Sequence, residues 1–276
     1  MEKLLLVINA HQPNLTSIDF ACQVASLTGS TLTGLFIENI FFGYVPESLN
    51  SPSYFQQIKA REDETTVVAD TGHAIRLFVD QCAKKKIRLE TYIDKGEPVQ
   101  KIVYESRFAD LLIIDPDLDF YRQSAQLPSR LVKEVLAKAE CPVMLAPDRY
   151  ESVEEIVFCY NGSASSVFAI KQFTYLLPQL HGKKVVLLEV NDSGNREFNE
   201  DHRKMVSWLR NHYLAVVYDK LEGTEKDKLF TYLLLKTHRW VVMGAYGRST
   251  LSTFFKRSSA DILIRTVDLP LFITHC

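Results

Sequence analysis

The chain has 276 residues, of which 46% are hydrophobic and 24% charged, with 32 basic and 34 acidic side chains. This is room for one large domain or two ordinary ones around a sizeable core, and a net charge of −2 makes no electrostatic case for binding nucleic acid or a membrane surface. Up to Asp148 there are 15 basic and 20 acidic residues, and beyond it 17 and 14, so the second part is mildly basic and suits a bound anion.

In chain order, Leu4–Ile8 is a short apolar run, too brief for a signal peptide or a membrane span, and no later run is long enough either. Strands are expected near 4–8, 31–37, 88–93, 111–114 and 143–145, with helices near 15–27, 58–85, 99–106 and 129–139 between them. In the last helix Leu131, Val132, Val135, Leu136 and Ala139 share one face. After a polar linker around 147–154, strands recur near 156–160, 184–190, 215–218, 241–243 and 271–274. The strands are β-branched runs without clean alternation, the pattern of a parallel sheet covered by helices on both faces.

The second series repeats the first. Leu4–Ile8 ends at Asn9 as Ile156–Tyr160 ends at Asn161, Leu111–Ile114 precedes Asp115 as Trp240–Met243 precedes Gly244, and Pro142 stands as Pro270 does. Asp115 and Pro142 are 27 apart, Gly244 and Pro270 are 26 apart. The reading is α/β: two doubly wound parallel-sheet sandwich domains, 1–147 and 154–276, related by internal repeat. The interval from Asn9 to Asp115 is 106 residues against 83 from Asn161 to Gly244, and the excess falls around 41–57, open to reading as a lid or contact surface but read first as an insertion packed on its own domain. Five cysteines, widely spaced and without a C-x-x-C pair, speak against zinc ribbons and disulfide frameworks and for a reducing cytoplasm. Of these, Cys22, Cys141 and Cys159 lie in apolar surroundings and read as core residues.

In such a sheet ligands gather at the carboxyl ends of the strands, where strand order reverses. The second copy offers Asn161-Gly162-Ser163 after its first strand and the stretch from Gly244 to Ser258 after its fourth. Gly244 and Gly247 let backbone N–H groups approach a phosphate, and Ser258, with Asp261 three residues on, has the pattern of a helix N-cap able to hold an anion. The same residues also make an ordinary turn and a self-capped helix, so the two readings stand level.

These residues carry a resemblance. The layout resembles the universal stress protein family in its tandem form, over nearly the whole chain, and the family's nucleotide motif is G-x2-G-x9-G-[ST] after the fourth strand. Gly244, Gly247 and Ser258 match it, Arg257 stands at its third glycine, and Asn161, followed by Gly162-Ser163, stands where ATP-binding members carry an acidic residue near the adenosine. The resemblance implies a stress-response binding or regulatory protein, with a modified site for ATP, ADP or AMP in the second domain built from Asn161, Gly162, Ser163, Gly244, Gly247, Arg257 and Ser258. It also implies that Val143–Leu145 and Leu271–Thr274 pair about a pseudo-twofold axis, an intramolecular pseudo-dimer that a homodimer could extend. Three roles are open to Arg257: strain if the position needs φ > 0, a guanidinium on phosphate, or a side chain filling the pocket.

In the first copy Asp115-Pro116-Asp117 replaces the first glycines, and Pro128-Ser129-Arg130 precedes the last helix. Like charge and a missing N–H at Pro116 oppose phosphate, so no nucleotide is expected there. Asp115, Asp117 and Asp119 lack the glycine and glutamate of a calcium loop and read as a solvated acidic turn. His11 reads as an exposed loop histidine, and the seven histidines show no metal-ligand spacing. Without a nucleophile elbow or a Walker-A loop, catalysis is expected to be absent or limited to slow nucleotide hydrolysis. The competing reading is a tandem protein that has lost nucleotide binding and works through protein contacts or another small ligand.

Overall fold

The computed structural model describes residues 1–38, 64–120, 127–191, 200–222, 225–234, 236–244 and 268–274. The first series is β1 (Lys3–Asn9), α1 (Leu15–Thr28), β2 (Thr31–Glu38), α2 (Glu64–Lys84), β3 (Leu89–Lys95), α3 (Pro98–Ser106), β4 (Leu111–Ile114), α4 (Arg130–Lys138) and β5 (Val143–Leu145). The second is β6 (Glu155–Tyr160), α5 (Ala164–Leu176), a 3-10 turn (Pro178–Leu180), β7 (Lys184–Asn191), α6 (Glu200–Arg210), β8 (Ala215–Glu222), α7 (Glu225–Leu233), β9 (Arg239–Gly244) and β10 (Leu271–Thr274). The stretch 41–57 lies outside the described residues.

Among the described residues ten strands form one sheet in the order β3-β2-β1-β4-β5-β10-β9-β6-β7-β8. Every neighbouring pair is parallel except β5 and β10, which run antiparallel with Met144 opposite Phe272. Each half therefore has the same doubly wound order. Antiparallel contact between equivalent strands is what a twofold relation between the halves generates.

Alternation along each strand sorts the core onto two faces. Leu4, Leu6 and Ile8 of β1, Met144 of β5, Ile156 and Phe158 of β6 and Phe272 of β10 meet α1, α2, α5 and α6. On the opposite face Leu5, Val7, Val143, Leu145, Val157, Leu271 and Ile273 meet α3, α4 and α7. Burial on both faces is why the central strands lack polar alternation.

The linker is not merely a polar tether. Val153 is buried, and the ring of Tyr150 sits 5.0 Å from Phe20 of α1 and 6.0 Å from Trp240 of β9. Phe173 of α5 continues this aromatic seam, 6.1 Å from Trp240 and 5.2 Å from Phe272. Edge-to-face rings thus span the junction between the halves.

Candidate functional site

The crevice at which strand order reverses lies between β6 and β9 in the second half and between β1 and β4 in the first. Register makes the two comparable: Ile156 pairs with Trp240 as Leu4 pairs with Leu111. Asn161 then corresponds to Asn9, and Gly244 to Asp115.

Both asparagines fold the chain back in the same way. Oδ1 of Asn161 accepts the N–H of Ser163 at 3.2 Å, and Oδ1 of Asn9 accepts the N–H of His11 at 3.0 Å. An aspartate would supply the same acceptor, so asparagine at 161 preserves the turn while it turns the other side-chain atom from an acceptor into a donor and removes the negative charge.

Beyond the turn the two halves diverge. In the second half Gly162, at φ 75°, alone separates Asn161 from Ser163, the N-cap of α5. A left-handed conformation there favours glycine. Ser163 Oγ accepts the Ser166 N–H at 3.1 Å, and the Ser166 hydroxyl returns a bond to the Ser163 carbonyl at 2.9 Å. So short a turn sets the first turn of α5 directly against the end of β9. A Cβ at position 244 would collide with the backbone carbonyl of Ser165 and stand 2.7 Å from the Ser166 nitrogen. Gly244 is therefore demanded by helix–strand packing, whatever it also does for a ligand.

In the first half residues 10–13 separate Asn9 from Asn14, the N-cap of α1. The longer turn leaves room for a side chain at Asp115. Asp115 accepts the Asn14 amide at 2.5 Å and the Asp117 N–H at 2.9 Å, and it is 9% exposed. Burial pushes its carboxyl above the ordinary value of 3.8, against the lowering effect of those two hydrogen bonds. The expectation of a solvated acidic turn is corrected here: Asp117 is exposed, but Asp115 is enclosed because the turn and Asn14 fold over it. His11 is likewise partly buried rather than exposed.

The N-terminus of α4 is also committed. Ser129 is 1% exposed, its hydroxyl donates to the Leu118 carbonyl at 2.5 Å and accepts the Val132 N–H at 3.1 Å, and its own N–H donates to the Pro116 carbonyl at 2.9 Å. The chain's own 115–118 loop therefore occupies the helix end. Beside it, Asn9, Gln12, Asn14, Ser17 and Asp115 border a cavity of about 20 Å³. That volume suits about one water molecule.

Asn161, Gly162, Ser163 and Gly244 are thus brought together across the second crevice. Gly247, Arg257 and Ser258 lie outside the described residues.

Sequence reasoning missed a buried polar cluster beside this crevice. Glu189 of β7 is 1% exposed, and its Oε2 accepts His202 Nε2 of α6 at 2.6 Å and the Tyr218 hydroxyl of β8 at 2.5 Å. Tyr160, next to Asn161, sets its ring 5.5 Å from that of His202. Burial and the Glu189 carboxylate hold the Tyr218 phenol well above its usual range. The corresponding position of β2 is Phe36, whose ring lies 5.8 Å from Phe78 of α2. One half thus packs an apolar pair where the other buries a carboxylate with an imidazole. The available signal was a single glutamate inside the apolar run Lys184–Asn191.

Among the described residues no group of three or more His, Cys, Asp or Glu could hold a metal ion, and no helix is long and apolar enough to cross a membrane.

No protein-family model matches the sequence, and no curated protein matches it. Solved structures do. A universal stress protein from Archaeoglobus fulgidus superposes over 99% of this chain and 98% of its own, with TM-score 0.68 and 14% identity. A protein described as a universal stress protein from Pseudomonas aeruginosa covers 100% and 93%, with TM-score 0.62 and 15% identity. A further Pseudomonas aeruginosa protein, described as functionally unknown, covers 100% and 92% at TM-score 0.62 and 14% identity. At such low identity the likeness is one of fold, and the chain has the fold of its universal stress protein neighbours: a mixed α/β sandwich on a large, mostly parallel sheet.

Proposed function

We propose that this chain is a tandem universal stress protein, domains 1–147 and 154–276, that binds an adenine nucleotide in the second domain and acts as a stress-response binding or regulatory module. The observation that carries this reading is the contrast between the crevices. In the second, the Asn161 turn brings the capped start of α5 against a glycine strand end with no side chain at 244. In the first, the Asp115 side chain fills the position that matches Gly244, and the 115–118 loop is bonded to the start of α4, whose counterpart lies outside the described residues. Backbone N–H groups at a helix start favour anions, whereas a buried carboxylate repels them. Asn161, Gly162, Ser163 and Gly244 would border the ligand, joined by Gly247, Arg257 and Ser258, and the first domain would bind none. No catalytic residue is assigned.

A second reading rests on Gly244 itself. Since close packing against Ser165 already requires glycine there, a tandem protein acting through protein contacts or another small ligand would look the same at that position. One experiment separates the two. The purified full chain is denatured, released small molecules are identified by mass spectrometry, and ATP, ADP and AMP are titrated into the emptied protein by calorimetry. A co-purified nucleotide or a saturable heat supports the first reading; the absence of both sinks it. Retained ATP that turns into ADP on the protein would instead indicate slow hydrolysis. An Arg257→Gly variant gaining affinity marks the arginine as a block, and one losing affinity marks it as a ligand.

A further inference from the structure

Cys22 and Cys82 stand 60 positions apart in the sequence, yet their sulfurs are 3.6 Å apart and both residues are fully buried. Cys22 lies in the middle of α1, Cys82 in the last turn of α2, and the two helices meet over the first half of the sheet. The other described cysteines, Cys141 and Cys159, pack on the opposite face. We propose that Cys22 and Cys82 form a peroxide-responsive dithiol that closes to an intramolecular disulfide, stapling α1 to α2.

The geometry is favourable. A disulfide holds its sulfurs at about 2.05 Å, so the pair must close by about 1.5 Å, a distance within reach of side-chain rotation and a small approach of the helices. The Lys85–Asp19 ion pair, at 2.9 Å, already ties the residue just past the end of α2 to α1. Where one thiol donates to the other, the roles divide. Cys22 is pushed up by its contact with Cys82 and by burial, while Cys82, accepting that hydrogen bond, is lowered despite its burial. Cys82, in the last turn of α2, is the attacking sulfur because opening of the helix end uncovers it first, and Cys22, in the middle of α1, is the resolving one.

In the first step Cys82 gives up its proton and the thiolate attacks one oxygen of hydrogen peroxide, the proton joining the departing hydroxide. The O–O bond breaks, one water leaves, and Cys82 becomes a sulfenic acid. In the second step the Cys22 sulfur attacks Cys82 Sγ, the S–O bond breaks, and the sulfenic hydroxyl leaves as water with the Cys22 proton. Two thiols lose two electrons in all, and one peroxide is reduced to two waters. Access comes through the end of α2. The helix stops at Lys84, two residues past Cys82, and the chain turns at Lys86 with φ 55°. Opening of that last turn uncovers the sulfur without unfolding the sheet.

The full-length protein is treated with hydrogen peroxide, free thiols are blocked under denaturing conditions, and the intact and digested masses are read without reductant. The expected result is a loss of about 2 Da, a peptide pair joining Cys22 to Cys82, and a thermal midpoint raised by about 5 °C that dithiothreitol reverses. The Cys141→Ser, Cys159→Ser, Cys276→Ser triple variant keeps all three effects, and Cys82→Ala abolishes the mass loss. Oxidation of the triple variant that stops at a sulfinic acid, or that leaves both thiols unmodified while the protein is folded, overturns the proposal. Should Cys82→Ala fail to fold, the triple variant alone decides.

Discussion

The ends of β1 and β6 start from the same asparagine turn and arrive at different chemistry because of three residues. Four residues follow Asn9 before the helix cap, and one follows Asn161. With the long turn, α1 stands off and a carboxylate at 115 fits, held by Asn14. With the short turn, α5 bears on β9 and only glycine fits at 244. A strand end that admits only glycine and one that holds a buried carboxylate can therefore be cut from one fold by loop length alone. A second contrast lies deeper: Phe36 against Phe78 in one half, Glu189 against His202 and Tyr218 in the other.

The largest test strikes that deeper contrast. Glu189→Ala leaves an imidazole and a phenol without their shared acceptor, and a loss of about 3 kcal/mol is expected in urea denaturation. The double change Glu189→Leu with His202→Leu should recover most of it, since a well-packed apolar pair can replace a buried polar one at little cost. Failure to recover would mean that the cluster is held by more than those two partners.

Next comes the strand end. Gly244→Ala should cost about 2 kcal/mol, because the helix backbone must move to admit the Cβ. Asp115→Ala, at the matching position, should cost about 1 kcal/mol, the loss of two hydrogen bonds offset by removal of a buried charge. Equal losses at the two positions would refute the role given to turn length.

The caps follow, at about the cost of the Asp115 change. Ser163→Ala should cost about 1 kcal/mol, and Asn14→Ala somewhat more, since Asn14 both caps α1 and holds Asp115. Equal losses would mean that the Asn14–Asp115 bond contributes little.

The smallest effect is one of pH. The folded state raises the Asp115 carboxyl above its ordinary value of 3.8, so the folded protein binds that proton more tightly than the unfolded chain does. Its contribution is full below the unfolded value and is lost as pH rises through the folded one. The stability of the native protein minus that of Asp115→Asn should therefore fall with pH across this window. A difference that stays flat would show that Asp115 is not desolvated.

How much of this was legible can be read strand by strand. Strands 111–114, 143–145 and 271–274 lie where their apolar runs put them. β8 continues past Tyr218 to Glu222, because Asp219–Glu222 are held by backbone pairing to β7 at the sheet edge, which needs no apolar side chain. The same holds for Asp94 and Lys95 of β3 beside β2. Asn161, Gly162, Ser163 and Gly244 were legible as residues at the carboxyl ends of strands, because the apolar runs before them mark where the strands stop; that Ser163 caps α5 came from the structure. Glu189 was not, because its partners lie on another helix and another strand.

The order of the strands along the chain and their repetition in two halves were determined by the sequence alone, since each expresses local preference and periodicity over a few neighbouring residues. The tertiary structure decided that Asp115 is enclosed while Asp117 is not, that Tyr150 of the linker joins an aromatic seam, and that Glu189 meets His202. It also brought Cys22 and Cys82 into contact. These depend on which surfaces the sheet and its crossovers bring together, and residues 60 apart become neighbours only once helices pack over a common face.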